Sequence, residues 1–148
     1  MTPPLENGRL VAIFDAGKTR LKLSVVDPAT LNVLYLRSLE TPWRAGPPYG
    51  HLDHKAAEAF LIDALRDCPR RERIGAIIPI GHGAAAALIA ADGTLAAPIL
   101  DYEAGAVNEV DAIYDSMRED FAQTLSPALP LGLNLGRQLF FLKTRHKD

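Results

Sequence analysis

A chain of 148 residues can form one domain with a real core. Its composition, 48% apolar and 23% charged with a net charge of −2, leaves no basic excess for gripping nucleic acid, since basic residues gather only at Arg70, Arg71 and Arg73. One cysteine, Cys68, excludes a disulfide framework and fits a reducing cytoplasm; the longest apolar run, 84–91, is too short to cross a bilayer; and Glu6, Arg9 and Asp15 interrupt any signal-peptide pattern.

Residues 1–8 are polar, with two prolines, and read as an arm. Residues 10–27, LVAIFDAGKTRLKLSVVD, read as strand, tight polar turn and strand, because apolar runs rich in Val, Ile and Leu flank the turn at 15–19. A turn at 28–32 leads to a third alternating strand over 33–39, so an antiparallel meander is expected. Proline and glycine keep 41–52 in a loop. Asp53 suits a helix N-cap, followed by Ala57, Phe60, Leu61, Ala64 and Leu65 at helical spacing until Pro69. RIGAIIPI at 73–80 is the run of a strand covered on both faces, joining the sheet in parallel.

After Gly81-His82-Gly83 comes an alanine-rich stretch that suits either a helix or a hairpin. The hairpin is preferred, because Asp92-Gly93 separates apolar segments of matching length, 84–91 and 94–100. A helix is expected over 107–118, with Val107, Val110, Ile113, Tyr114 and Met117 on one face. Irregular chain follows at 120–131, then a last helix over 134–143 with Leu135, Leu139, Phe140 and Leu142 as its apolar side. A charged tail runs from Lys143 to Asp148.

The turn at 15–19 has two readings. It is an ordinary hairpin, or it is a phosphate site. Gly17 allows close backbone approach, and around it stand the Asp15 carboxylate, the Thr19 hydroxyl and the ammonium groups of Lys18 and Lys22. One carboxylate beside phosphate is enough to hold a magnesium ion that keeps its waters. The turn has neither Walker nor dinucleotide-fold spacing. His82 between two glycines is a turn histidine or a site residue. His51, Asp53 and His54 suit no usual zinc spacing, and Cys68 reads as a small buried apolar residue. Trp43 and Tyr49 serve packing or sugar stacking.

The turn resembles the first phosphate motif of the actin, hexokinase and sugar-kinase superfamily, approximately D-x-G-T-[ST]-x-x-K, with Asp15, Gly17, Thr19 and Lys22 in place and Lys18 departing from it. The stretch from His82 to Glu103 is similar to that of FGGY-type carbohydrate kinases. His82 and Gly83 match their histidine-glycine element, Asp92 and Gly93 the hairpin tip, and Pro98, Ile99 and Leu100 the run before an acidic cluster, here Asp101-Tyr102-Glu103. LGLNLGRQLFFLK resembles that family's K-[LI]-x-W-L helix, with Phe141 in the tryptophan place. Within the family, the Gly-Lys-Thr variant and GAAAAL resemble rhamnulose- and fuculose-kinase-like members.

The resemblance implies an α/β fold of ribonuclease H-like type, a mixed sheet with three antiparallel strands, then helix and parallel strand, over 9–148 as an incomplete first domain. It implies ATP-dependent phosphorylation of a sugar, with ATP and Mg2+ as cofactors. Asp15, Gly17, Lys18, Thr19 and Lys22 would bind nucleotide phosphates, with Asp15 on magnesium through water. His82, Gly83, Asp101 and Glu103 would bind the sugar. The family's catalytic aspartate and adenine-binding domain fall beyond the position of Asp148, so no catalytic residue is expected in this chain, which would be inactive alone. Expected partners are sugar and ATP, and either a second copy in a homodimer or the missing C-terminal part. The competing class is a non-catalytic remnant or binding module that needs a partner chain.

Overall fold

The structure, a computed structural model, describes residues 8–146. The expected arm lies outside that range except for Gly8. Asp148, the residue beyond which the catalytic aspartate is expected, also lies outside the described residues, so the structure does not bear on that expectation. Two compact units share the chain: the first runs through Pro42 and resumes over Asp53–His82, and the second takes Trp43–Leu52 and everything from Gly83 onward.

The first unit is a four-stranded mixed sheet made of β1 (Leu10–Ala16), β2 (Arg20–Val26), β3 (Val33–Glu40) and β6 (Ile74–Gly81), in the order β3-β2-β1-β6. β1 pairs antiparallel with β2 and parallel with β6, and β2 pairs antiparallel with β3. This is the meander, then helix, then parallel strand that the sequence predicts. Alternation along β2 turns Leu21, Leu23 and Val25 to one face. There they form a core with Leu10, Ala12, Cys68, and Phe60 and Ala64 of α1 (His54–Arg66). Asp53 caps α1 as expected: its carboxylate accepts from the Ala56 N–H at 3.0 Å.

β6 departs from expectation. Its apolar run predicts cover on both faces, yet it is an edge strand, with Ile77, Ile78 and Ile80 at 51%, 47% and 48% exposure. An apolar run reports the surroundings a strand is suited to, and among the described residues no further strand pairs with it.

The second unit has little regular strand. β4 (Trp43–Arg44) and β5 (His51–Leu52) pair antiparallel, and His51 bridges to Leu100. The expected hairpin around Asp92-Gly93 shrinks to one bridge, Ile89 with Leu95, plus backbone bonds Ala90 N to Thr94 O and Ala96 N to Leu88 O. Residues 84–91 form neither strand nor helix. The helix expected over 107–118 splits into a 3-10 turn, Ala106–Val110, and α2 (Asp111–Met117). Val107 and Val110 are buried while Ile113 and Met117 are exposed, so the expected single face is not the packed one. Within the stretch expected to be irregular, 121–124 form a short turn of helix, α3 (Phe121–Thr124).

α4 (Leu135–Arg145) lies where predicted, and of its expected apolar side Leu142 is buried and Phe140 packs on the core, but Leu135 and Leu139 are exposed while Arg137, Gln138 and Phe141 are buried. Two polar side chains set that rotation. The Arg137 guanidinium donates to the Leu129 and Leu131 carbonyls and to the Asp115 carboxylate, and lies 3.4 Å from Asp111. The Gln138 amide donates to the carbonyls of Ala84 and Gly132. Buried polar groups need such partners; Arg137 Nε and Asp111 Oδ1, buried and 3.4 Å apart, nonetheless make no hydrogen bond.

Candidate functional site

β1 and β2 bring Asp15 and Lys22 into register as cross-strand partners. Leu21 and Leu23 face the helix, so Lys22 stands on the opposite face, and its partner Asp15 stands with it. Lys22 Nζ lies 3.5 Å from Asp15 Oδ2, both side chains in reach of solvent. Between the strands, the Gly17 N–H donates to the Arg20 carbonyl at 3.1 Å. A Cβ on Gly17 would lie 2.9 Å from that oxygen, so the turn closes this tightly only with glycine.

Thr41, which the sequence places in a loop, holds this turn from behind. Its N–H donates to the Thr19 carbonyl at 3.0 Å, and its hydroxyl donates to the Gly17 carbonyl at 2.8 Å. Thr41 is buried. A threonine at a strand end, just before a proline, gives no sign in sequence of this role, which depends on β3 lying beside β2.

His82 follows β6 directly, and Gly81 pairs with Ala16 in the parallel register. Parallel strands end on the same side, so His82 and the Asp15 turn lie at the same end of the sheet. The carboxyl end of parallel strands is where open α/β sheets place ligands. The structure thus gathers Asp15, Gly17, Lys18, Thr19, Lys22 and His82 at one end of the first unit. Gly83 opens the second unit, and a Cβ there would meet nothing within 4 Å.

Asp101 and Glu103 belong to the second unit. The Asp101 N–H donates to the Gly50 carbonyl at 2.8 Å, and its carboxylate accepts from the Glu103 N–H at 3.0 Å. Asp101 therefore shapes a turn beside β5, where the His51 ring nitrogen Nδ1 lies 2.7 Å from the Tyr49 carbonyl. Tyr102 between the two acids is buried; burial first, then the charges of Glu103 and Asp101, raise its phenol pKa. Tyr49 serves packing: its ring meets Phe141 edge-on with centroids 5.6 Å apart, and its hydroxyl donates to the Pro98 carbonyl. Trp43 is half-buried in β4. Cys68 is buried in the first core, as the sequence reading has it.

Among the described residues no three His, Cys, Asp or Glu side chains form a metal cage, and no helix is long and apolar enough to cross a membrane. A single solvent-reaching carboxylate, Asp15, fits a hydrated magnesium ion shared with phosphate oxygens.

No family model matches the sequence, and no curated protein does. Among solved structures, a carbohydrate kinase from Novosphingobium aromaticivorans is similar at 37% identity and a TM-score of 0.82, over 97% of this chain and 30% of that one. A xylulose kinase from Rhodospirillum rubrum is similar at 18% identity and a TM-score of 0.70, over 94% of this chain and 30% of that one. A gluconate kinase from Lactobacillus acidophilus is similar at 16% identity and a TM-score of 0.67, over 94% and 29%. The last two bear on fold alone. The chain spans about 30% of the length of the solved kinases it resembles.

Proposed function

The chain belongs to the carbohydrate kinases, and from that premise we propose that it carries the phosphate end, and part of the sugar site, of an enzyme that transfers the γ-phosphoryl group of ATP to a sugar hydroxyl. The observation that carries this reading is the gathering of Asp15, Lys22, the Gly17 turn and His82 at one end of the sheet. In the reaction the hydroxyl oxygen bonds to the γ-phosphorus, the bond to the β-phosphate oxygen breaks, ADP leaves, and a base takes the hydroxyl proton. Such transfer depends mostly on positioning and charge neutralisation.

Each residue has a stated part. Lys18 and Lys22 neutralise phosphate charge. Gly17 and Thr19 let the backbone and a hydroxyl approach the phosphate oxygens. Asp15 holds the waters of a magnesium ion, which when bound supplies charge neutralisation to the phosphates. His82 hydrogen-bonds the sugar, with Gly83 leaving room beside it and Asp101 and Glu103 as further sugar contacts. No residue of this chain, Asp148 included, is proposed as the base, and this chain alone is proposed to be inactive. The sugar is proposed as a ketose or related carbohydrate; nothing in these likenesses favours the rhamnulose and fuculose branch. The protein is proposed to work in the cytoplasm, and completion by further kinase sequence or a second copy is part of the proposal.

An assay coupling ADP release to an optical signal, over a panel of ketoses and polyols, tests it. The expected result is no turnover by the 148-residue chain and sugar-dependent turnover by a protein that carries it together with the rest of a kinase. Sugar-independent silence in both would favour a non-catalytic binding module.

A further inference from the structure

We propose that Thr41 is a positioning residue for phosphate binding: its hydroxyl locks the Gly17–Lys18 peptide in the orientation that phosphate requires. The inference rests on the reading of the Asp15 turn as a phosphate site. A trans peptide points its carbonyl and the following N–H in opposite directions. The Gly17 carbonyl is aimed at the Thr41 hydroxyl, 2.8 Å away, so the Lys18 N–H is aimed away from Thr41.

Glycine makes this peptide unusually easy to turn over, because no Cβ resists the change at its α-carbon. Turned over, the peptide would present a carbonyl oxygen where it now presents an N–H. An anionic phosphate would then meet the negative end of the dipole instead of a donor, which raises the cost of binding. Gly17 is needed for the close approach to the Arg20 carbonyl, so the turn carries this liability whether or not it binds phosphate. Thr41 answers it with two anchors on one residue. Its N–H fixes the Thr19 carbonyl, and its hydroxyl fixes the Gly17 carbonyl, one on each side of Lys18. The backbone anchor survives any substitution by a non-proline residue. The hydroxyl is the only part a side-chain change removes, so the two contributions are separable.

Thr41 is buried, so turning the Gly17 carbonyl away would leave its hydroxyl without that bond, which opposes the turnover. The strand pairing of β2 with β3 already closes this end of the sheet without it. The hydroxyl acts on the peptide plane of the turn, beyond the strand ladder.

The test is a nuclear magnetic resonance titration of the isotope-labelled chain with MgATP at millimolar concentrations, read at the Gly17, Lys18 and Thr19 amides. Thr41→Val removes the hydroxyl at nearly constant volume, and Thr41→Ser keeps it. The expected result is that Thr41→Val weakens MgATP binding about tenfold, the worth of one well-placed hydrogen bond, and moves the free-state Lys18 amide resonance. Thr41→Ser should bind like the wild type, and the β2 and β3 amides should keep their protection in both. Thr41→Ala carries the same expectation as Thr41→Val and replaces it if the valine methyl disturbs folding. Wild-type affinity in the variants lacking the hydroxyl overturns the assignment to Thr41. Equal loss in Thr41→Ser and Thr41→Val overturns it too, because the hydroxyl would not be the agent. A wild-type chain whose turn amides do not respond to MgATP overturns the phosphate reading itself, and this inference with it.

Discussion

Asp15 and Lys22 face each other across the β1–β2 ladder, Oδ2 to Nζ at 3.5 Å, on the face of the sheet away from α1. A surface pair of this kind contributes little to stability, about 0–1 kcal/mol. Asn in place of Asp15 would keep the shape and the turn chemistry, since both side chains hydrogen-bond nearby amides. Asp15→Asn should therefore leave stability within roughly 1 kcal/mol of the wild type, as surface changes do. In a protein completed by the rest of a kinase, the phosphoryl-transfer rate should fall on the order of a hundredfold, the scale of one lost preorganised electrostatic contact. Near-normal turnover by that variant would falsify the magnesium role of Asp15.

Arg137 should be the most sensitive residue of the second unit. Its side chain is 6% exposed, hydrogen-bonds two carbonyls and the Asp115 carboxylate, and lies in ion-pair range of Asp111. Arg137→Met keeps the bulk and strands those acceptors, and the expected loss is about 2–4 kcal/mol in urea denaturation. Lysine should not rescue it, because an ammonium lacks the planar fork that reaches several acceptors at once. A variant as stable as the wild type would mean the network contributes nothing net.

Acid should loosen the tip at Asp92 before the sheet. The Thr94 N–H, then the Thr94 hydroxyl, hydrogen-bond the Asp92 carboxylate and lower its pKa below the usual value. A depressed folded pKa contributes stability that is present above the unfolded value and is lost as pH falls through the folded one. Protection of the Thr94 amide, taken relative to its intrinsic exchange rate, should accordingly fall as pH drops below about 4. In Thr94→Val the Asp92 carboxyl should titrate closer to its ordinary range, which a carbon-detected titration would read directly.

β6 leaves Ile77, Ile78 and Ile80 exposed on a sheet edge. Unpaired edges with apolar side chains invite association. The chain should show a concentration-dependent rise in mass by light scattering, and Ile78→Lys should reduce it. Persistence of the association in Ile78→Lys would mean that this edge does not carry it.

The first unit was legible because its signals are local. Apolar runs bracket a polar turn, Asp53 stands at a cap position, and Pro69 ends a helix, and each of these works within a few residues. The second unit was read less well because its packing is decided by distant partners. Nothing near Gln138 announces that its amide will meet the Ala84 carbonyl, so the leucine stripe of α4 looked like its inner side. Residues 84–91 suited a helix as well as the preferred hairpin, and the structure keeps only one bridge of the hairpin. Of the candidate site, the residues that carry charge were visible as a motif. Thr41 was not, because a positioning hydroxyl is defined by what folds back onto it.

The ten residues Trp43–Leu52 belong to the second unit although they leave and re-enter the first. Synthesis therefore delivers a piece of the later unit while the earlier one is still being made. Tyr49 must wait for Phe141, its ring partner in the second core, until almost the whole chain has emerged. Contacts so far apart in sequence form slowly. Cutting the protein at the junction 82/83 would not yield two modules: the front piece would keep an orphaned aromatic, and the back piece would have a gap where that ring belongs. Gene fusions and splits that preserve this protein must therefore avoid that junction, however natural it looks on a linear map.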